Sequence, residues 1–445
     1  MQDPTRESSE SALVGEKIRK LRRHRRVSIV EFAKEIGIRK ETISRVENGK
    51  DKLSTKQKKA IKAYFDIEGM PLSDSECKVN NARHNRWRAL LRAGRMEEAK
   101  AIWEERASIV NLEPCDPDAV TQYKLLEAQM FAVEGKYDIA EEKLALLQTR
   151  LDVMSFEHLY YYNFLKGYLL LCHERHKDAL EFLHMAHGLA NHVNLLPVDV
   201  GRLYFDLALC YTRLGIPYRA IHFCLKCKLS YVDDVLRNYG LSIDSMLVRN
   251  YIKVNELDEA EKLLKTCHIK AESAGNSPYL GYIMLCYGLM HVKTESWTSA
   301  LECLEQAIED VEKGTAHYYS VCYYKIYCII GARMFSNARR ELEKVKAICG
   351  ADKVWAIYFE SLGHHITISS RMSRLNNESI DYIQTVTIPH LMETHDYFIA
   401  IDYCKLLKQH YKQSRSIEKS FQMSEQIANI YEHCLLNNDI EVIKS

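Results

Sequence analysis

The segment GKYDIAEEKL, Gly135–Leu144, shows the pattern that governs most of the chain. It combines a residue suited to a tight turn, four residues of mixed polarity, an alanine at position 140 and the start of an amphipathic helix. Similar segments place a small residue at the same point in eight further stretches: Ala99, Ala179, Ala220, Ala260, Ala300, Ala338, Ser379 and Ser420. Successive positions are 38 to 41 residues apart. A constant spacing of this kind indicates an internal structural repeat.

Each repeat is predicted to contain two helices. In five repeats a second small or medium-sized residue lies twelve positions before the alanine, and a bulky or apolar residue lies four positions after it, as Gly167 and Leu183 do around Ala179. Small residues let paired helices approach closely, and larger residues fill the space between repeats. The chain has only 8 prolines and 18 glycines in 445 residues. So few breakers predict a mostly helical protein.

The repeat resembles the tetratricopeptide repeat, with helices somewhat longer than those of its usual unit of about 34 residues. The resemblance implies an all-α fold in which about nine repeats form a right-handed superhelix. The concave surface of such a superhelix binds extended peptides or segments of partner proteins, and it does not by itself carry reaction chemistry.

The N-terminal part of the chain has a different pattern. Ser28 and Glu31 have the spacing of a capping box, which predicts a helix from about Ile29. Gly37 is predicted to end this helix, and a second helix is predicted from about Lys40. Residues 15–62 contain 17 Lys/Arg and 6 Asp/Glu, a net charge of +11, whereas the remaining residues have a net charge of −10. A basic head on a mildly acidic body predicts that the head binds a polyanion.

The sequence GEKIRKLRRHRRVSIVEFAKEIGIRKETISRVENGK, residues 15–50, resembles the phage-repressor (XRE-type) helix-turn-helix domain. The resemblance implies that the second helix enters the major groove of double-stranded DNA. A helical hairpin without a role in DNA binding is the alternative. The residues implied to contact DNA are Arg39, Lys40, Glu41, Ser44, Arg45, Asn48 and Lys50.

Two positions depart from the family pattern. Arg39 stands where a small hydroxyl residue is usual, so the second helix lacks a side-chain cap, a loss of about 1 kcal/mol. Ile29 stands where Gln is usual, which removes a polar contact to DNA. The expected domain organisation is a flexible N-terminus at 1–14, the helix-turn-helix domain at 15–66, a linker at 67–82 and the repeat domain at 83–445.

A head of this type on tetratricopeptide repeats resembles the RRNPP group of peptide-pheromone receptors of Gram-positive bacteria, most of all its NprR branch. The segment 160–171 is also similar to the corresponding helix of the Rap phosphatases. The resemblance implies a cytoplasmic quorum-sensing regulator that binds promoter DNA and a short imported signalling peptide. It is expected to act as a homodimer, with residues 396–438 as the expected contact, because a single head reads DNA weakly.

In this group, side-chain amides and charged groups on the inner helices bind the backbone of the peptide. The expected peptide-binding residues are polar residues and tyrosines of the central repeats: Asn163, Arg202, Asp206, Arg249, Asn250, Tyr282, Tyr323 and Tyr327. For each one, an exposed or interhelix polar residue without a ligand is the alternative.

Two other functions stay open. In one, the repeats bind a protein, such as a phosphorelay response regulator; in the other, the chain regulates a phosphatase-like activity. The sequence has no P-loop and no G-x-G-x-x-G motif. We therefore expect no enzyme activity, no catalytic residues, no cofactor and no metal.

The 14 cysteines are scattered singly and are predicted to be reduced and mostly buried, Cys224 and Cys227 included. The polar start of the chain lacks the apolar region of a signal peptide, and no apolar run approaches the length of a membrane span. These features predict a cytosolic protein without a membrane partner.

Overall fold

A computed structural model describes residues 15–16, 18–23, 25–65, 74–107, 117–230, 237–273, 275, 277–350, 352–370 and 377–436. Within these ranges all regular structure is helical. The all-α prediction is therefore confirmed. The predicted flexible N-terminus, 1–14, and the first part of the predicted linker, 67–73, lie outside the described residues.

The head contains four helices: α1 (18–23), α2 (Ile29–Glu35), α3 (Lys40–Glu47) and α4 (Thr55–Phe65). The predicted cap is present, because the Ser28 Oγ accepts a hydrogen bond from the amide of Glu31 at 3.1 Å. Gly37 follows α2 with a φ of 65°, the left-handed conformation that favours glycine. Arg39 precedes α3 and makes no side-chain cap. These local predictions are confirmed.

The core of the head joins all four helices. Phe32 of α2 and Ile43 of α3 are fully buried, and they pack with Ile18 of α1 and Phe65 of α4. Arg25, in the turn before α2, donates hydrogen bonds to the carbonyl oxygens of Tyr64 at 3.0 Å and Phe65 at 2.9 Å. This side chain caps the C-terminus of α4 and so fixes α4 against the helix-turn-helix pair.

The chain forms two compact units, residues 1–196 and 197–445. Unit 1 continues after the head with six α-helices and a 3₁₀-helix. They are α5 (Asp74–Arg92), α6 (Met96–Ala107), α7 (Pro117–Val133), α8 (Tyr137–Ala145), the 3₁₀-helix (Gln148–Val153), α9 (Phe156–Cys172) and α10 (His176–Ala190). Helix α5 begins at Asp74, inside the range given to the linker.

Unit 2 contains thirteen α-helices among its described residues, with a π-helical turn (Ile383–Thr387) joining two of them. They are α11 (Pro197–Arg213), α12 (Pro217–Ser230), α13 (Arg237–Lys253), α14 (Leu257–Ser273), α15 (Ser277–Lys293), α16 (Trp297–Glu309), α17 (Ala316–Gly331), α18 (Phe335–Cys349), α19 (Lys353–Ser369), α20 (Asn377–Tyr382), α21 (Ile388–Glu393), α22 (Tyr397–Gln413) and α23 (Ile417–Leu436). With α20, the π turn and α21 counted as one continuous helix, α5 to α23 make nine pairs. The predicted tetratricopeptide-type repeats are confirmed.

The small residues of the repeat hold the helices of each pair together. Ala140, Ala179 and Ala300 are completely buried. A Cβ atom added to Gly167 would lie 2.7 Å from the Cγ of Leu183, and one added to Gly288 would lie 2.9 Å from the Cγ of Leu304. The glycine and the leucine of each pair therefore fit each other as the sequence pattern predicts.

In the eight pairs whose turn is described, the turn uses a residue with positive φ, five positions before the repeat's small residue. It is glycine in some repeats, such as Gly135 and Gly215, but a larger residue in others: Glu174, Asn255, Glu295, Arg333 and Arg415 have φ between 56° and 65°. His395 adopts the same conformation five positions before the buried Ala400. This additional turn was missed because it lies about half a period after Ser379, out of step with the other repeats.

The cysteines belong to the core. Of the twelve described cysteines, ten are buried, and none of the twelve forms a disulfide. Cys224 and Cys227 are completely buried, in agreement with their prediction as core residues. None of the helices in the described ranges is both long and apolar enough to cross a membrane.

Candidate functional site

Helix α3 has a buried face and an exposed face. Ile43 and Val46 pack into the core of the head. Lys40, Glu41 and Arg45 are exposed on the other face, and Ser44 is half-buried beside them. Most of the predicted base-contacting residues therefore lie on one accessible surface, with Arg39 exposed immediately before the helix. Their role in DNA binding stays a prediction.

At the C-terminal end of α3, two of these residues already have partners. The Nε of Arg45 lies 3.0 Å from Oδ2 of Asp51, and both side chains are exposed. The Asn48 amide donates to the carbonyl oxygen of Ser44 at 2.8 Å and accepts from Arg19 at 2.8 Å. The Lys50 side chain is exposed. To contact DNA, Arg45 and Asn48 must therefore give up the partners that they have in the free protein. Lys50 forms no ion pair with the described residues, so it has none to give up.

Glu47 is an important residue of the head that the sequence reading missed. The residue is only 5% exposed. Arg22 donates from Nε and Nη2 to the two carboxylate oxygens of Glu47, both at 2.8 Å. This paired fork locks α1 onto the C-terminal end of α3. The available signal was an acidic residue next to the inward-facing Val46, opposite a strongly basic first helix.

In unit 2, one face of the first helices of successive repeats stays accessible. We call this face the inner stripe. Its described members are at least partly exposed, and on α11 and α13 they recur three or four positions apart. They are Arg202, Phe205, Leu209 and Arg213 of α11, Ser242, Ser245, Arg249 and Lys253 of α13, Tyr282 and Lys293 of α15, and His317, Tyr324 and Tyr327 of α17.

The inner stripe contains four of the eight predicted peptide-binding residues: Arg202, Arg249, Tyr282 and Tyr327. Their side chains come from three or more repeats, and the rings of neighbouring repeats meet, since the centroids of Tyr282 and His317 are 5.5 Å apart. The structure therefore groups these four residues on one surface of unit 2.

The other four predicted peptide-binding residues take part in contacts within the fold. Asp206 is buried and accepts from Arg202 at 3.2 Å. Asn250 is completely buried and donates to the Thr212 hydroxyl at 2.9 Å. The buried Tyr323 donates to the hydroxyl of Tyr403 at 3.5 Å. In unit 1, Asn163 of α9 is half-buried and donates to the carbonyl oxygen of Leu159 at 2.9 Å. Their roles toward a peptide stay predictions.

Arg249 and Lys253 lie one helical turn apart on α13. In the described part of the chain neither side chain has a hydrogen bond or an ion pair. Burial, together with the charge of Arg249, lowers the pKa of Lys253 to about 7. Burial also disfavours the charge on Arg249, but Tyr282, Tyr324 and Asp396 favour it and raise its pKa overall. Two basic side chains thus face the same accessible surface of unit 2, and neither has a hydrogen bond or an ion pair in the described ranges.

Unit 2 curves so far that its last helices return to its first ones. A Cβ added to Gly215, in the turn between α11 and α12, would lie 2.6 Å from the carbonyl oxygen of His395 and 2.7 Å from Cδ2 of Tyr397. We call this contact the closure contact. Nearby, the Lys293 Nζ lies 5.6 Å from the ring centroid of Phe398. The start of α22 therefore lies beside the C-terminal ends of α11 and α15.

Comparison with known proteins gives a family match for the head and structures of similar fold for most of the chain. Residues 18–67 match the family model HTH_3, helix-turn-helix. No curated protein matches the chain.

The solved structures that it resembles include two of one quorum sensor. The apo form of the quorum sensor NprR from B. thuringiensis has a TM-score of 0.61 at 17% identity, over 80% of this chain and 100% of that one. NprR in complex with its cognate peptide NprX has a TM-score of 0.60 at 18% identity, over 79% and 99%. The apo form of RapI has a TM-score of 0.56 at 13% identity, over 80% and 98%. The predicted helix-turn-helix head is confirmed, and the chain shares the fold of NprR and RapI.

Proposed function

We propose that this chain is a cytosolic transcription regulator that binds promoter DNA through α3 and a short signalling peptide on the inner stripe. The observation that carries the proposal is the combination of an accessible second helix in a basic helix-turn-helix domain with a repeat fold shared with a peptide-binding quorum sensor. Arg249 and Lys253 of the inner stripe, which have no hydrogen bond or ion pair in the described ranges, support the second half of it.

The exposed face of α3 has the chemistry to read base edges. Lys40 and Arg45 match the O6 and N7 acceptors of guanine, and Glu41 can accept from N4 of cytosine. The ion pair of Arg45 with Asp51 is exposed, so exchanging it for a base costs little. Lys50 at the end of the helix is placed for a phosphate, which contributes affinity but no sequence preference.

The inner stripe has the chemistry to bind an extended peptide. Such a peptide brings its own N–H and C=O groups, charged ends and side chains, and the stripe offers guanidinium, ammonium and phenol groups from several repeats. A peptide of about five to ten residues, at about 3.3 Å per residue, spans several inner helices. Peptide binding changes DNA affinity only as far as the peptide prefers one conformation of the protein over another.

We also propose that the chain acts as a homodimer through its last repeats, residues 396–438, of which 437 and 438 lie outside the described residues. Repressor-type heads work in pairs on two half-sites about 34 Å apart, because one head contacts too few base pairs for specific binding.

The DNA half of the proposal is tested with the full chain and genomic promoter fragments. We expect Arg45→Ala to cost about 1–3 kcal/mol at one base pair and to relax the preference there. Lys50→Ala should weaken all sequences alike and flatten the salt dependence. Fluorescence anisotropy at several salt concentrations measures both, and a footprint of two half-sites one helical turn apart reports the dimer. Lys56→Ala, on the exposed start of α4, serves as the charge-matched control. If no fragment binds even at low salt, the proposal is wrong.

A second candidate function is that the repeats bind a response-regulator protein, as the RRNPP resemblance implies for some members. The likeness of the fold to RapI favours it. Calorimetry of the full chain against isolated receiver domains separates the two. Binding of a receiver domain that persists in an Arg249→Met variant points to a protein-binding surface outside the inner stripe.

A further inference from the structure

The inner stripe carries an unusual row of cations. Arg213, Lys253 and Lys293 are the last residues of α11, α13 and α15, and they are 40 residues apart, so three successive repeats present a cation at the same place. Arg249 adds a fourth cation one turn before Lys253. Helices that pack side by side are about 8–10 Å apart, so these charges reinforce one another.

The acidic groups nearest to this row, Asp396 and Asp402, interact with other side chains. The carboxylate of Asp396 accepts a hydrogen bond from the hydroxyl of Tyr358. Asp402 lies 3.5 Å from the Nζ of Lys405, and its influence reaches Lys293. Neither carboxylate forms an ion pair with Arg249 or Lys253 in the part of the chain that is described. Asp396 favours the charge on both side chains from a distance, so in the described ranges one carboxylate faces two basic groups that have no ion pair of their own.

A further polar group in the same space has no partner. The Nε2 atom of His317 is buried and makes no hydrogen bond. Burial, assisted by the charge of Arg249, lowers the pKa of His317, so this imidazole is neutral and can donate one hydrogen bond. A buried polar atom without a partner costs free energy, and such atoms in native proteins call for a missing partner. A ligand that reaches Arg249 can supply it.

We infer that Arg249 and Lys253 form a carboxylate-binding subsite, and hence that the signalling ligand is a peptide with a free carboxylate placed between these two side chains. The inference rests on the proposed function, since it specifies the chemistry of the peptide that the inner stripe takes. The planar guanidinium of Arg249 can hold both oxygens of a carboxylate, while the ammonium of Lys253 adds a point charge. The carboxylate comes from an acidic side chain or from the C-terminus of the peptide.

The subsite makes binding dependent on pH. Lys253 is surrounded by Arg249 and Arg213, the carboxylate of Asp396 and the thiol of Cys434, whose pKa is raised by burial to about 11 and which is therefore neutral. With a pKa of about 7, Lys253 is partly uncharged in the free protein. A bound carboxylate favours the ammonium form and raises this pKa, so binding takes up a proton. Affinity should then fall as the pH rises above 7, by up to about tenfold per pH unit.

The test uses the immobilised full chain and three synthetic heptapeptide libraries, with bound peptides identified by mass spectrometry. The first library has free C-termini and includes Asp and Glu. The second is amidated at the C-terminus, and the third contains Asn and Gln in place of Asp and Glu. We expect capture from the first library, and loss of it from either the second or the third identifies the source of the carboxylate.

The strongest captured peptide is then titrated by calorimetry between pH 6 and pH 8. Arg249→Met and Lys253→Met should each weaken it about tenfold or more. Lys253→Arg, which stays charged, should retain binding and lose the pH dependence. Lys265→Met is the matched control, because Lys265 lies on α14 in an exposed ion pair with Glu261 at 2.7 Å; it should bind as the wild type does.

The outcomes separate the subsite from the proposed function. Capture from all three libraries with equal strength, unchanged in the Arg249 and Lys253 variants, overturns the carboxylate subsite and leaves the peptide receptor standing. Pure loss of folding is excluded by the Lys253→Arg variant. No capture from any library overturns both.

Discussion

Among single residues, the buried carboxylate of Glu47 is expected to matter to the stability of the head because it pairs with Arg22. Replacing Glu47 with Ala leaves Arg22 without its paired fork at a site where the arginine side chain is only 12% exposed. Removing one partner of a buried ion pair costs about 3–5 kcal/mol. We therefore expect Glu47→Ala to accelerate hydrogen exchange in peptides from α2 and α3, whereas Glu41→Ala, on the exposed face of α3, should not. Equal exchange in the two variants would show that the fork is dispensable.

At this scale, the sequence predicted what depends on near neighbours in the chain. The Ser28 cap and the missing cap at Arg39 each involve residues a few positions apart. The fork between Arg22 and Glu47 joins residues 25 positions apart, and the acidic residue beside Val46 does not by itself identify its partner. The same limit affects the inner stripe. Arg249 and Asn250 are adjacent on α13, yet one faces the open side and the other is buried against Thr212, which depends on the packing of α11.

For the paired helices of a repeat, α9 and α10 offer two glycines with opposite consequences. A Cβ at Gly167 would lie 2.7 Å from the buried Leu183, whereas one at Gly188 would have nothing within 4 Å. Gly167→Ala should destabilise the pair by about 1–3 kcal/mol through overpacking. Gly188→Ala should stabilise it by about 0.5–1 kcal/mol, because glycine inside a helix loses more backbone entropy. Scanning calorimetry of the full chain measures the transition temperature of each variant. If both temperatures move in the same direction, the contact between Gly167 and Leu183 does not have the predicted role. The repeat period predicted this pairing for every repeat, but it gave no indication of the turn at His395, because that turn lies about halfway between two periodic positions, Ser379 and Ser420.

For the whole molecule, DNA binding and peptide binding should be coupled reciprocally. If a captured peptide changes DNA affinity by some factor, bound DNA must change peptide affinity by the same factor. Anisotropy of labelled DNA with and without saturating peptide gives the first factor, and calorimetry of the peptide against the preformed DNA complex gives the second. The Arg249→Met variant should lose the effect while its DNA affinity without peptide stays unchanged. DNA-binding curves that do not move at saturating peptide would show that the two activities are independent.

The sequence predicted both activities through separate motifs, but the size of the coupling depends on conformational free energies that no motif encodes.

The closure contact at Gly215 also has a consequence for the rates at which a ligand binds and dissociates. If the proposed peptide lies beneath the start of α22, we expect its entry to require separation of the turn at Gly215 from the chain at His395 and Tyr397. Its association rate then levels off at high concentration, at the rate of that separation, and its departure waits for the same event. The residence time of the ligand then depends on how often the closure contact opens as well as on the strength of each contact with the ligand. The peptide would then stay bound for some time after its concentration in the surroundings has fallen. The packing of the turn at Gly215 would therefore help to set the duration of the response.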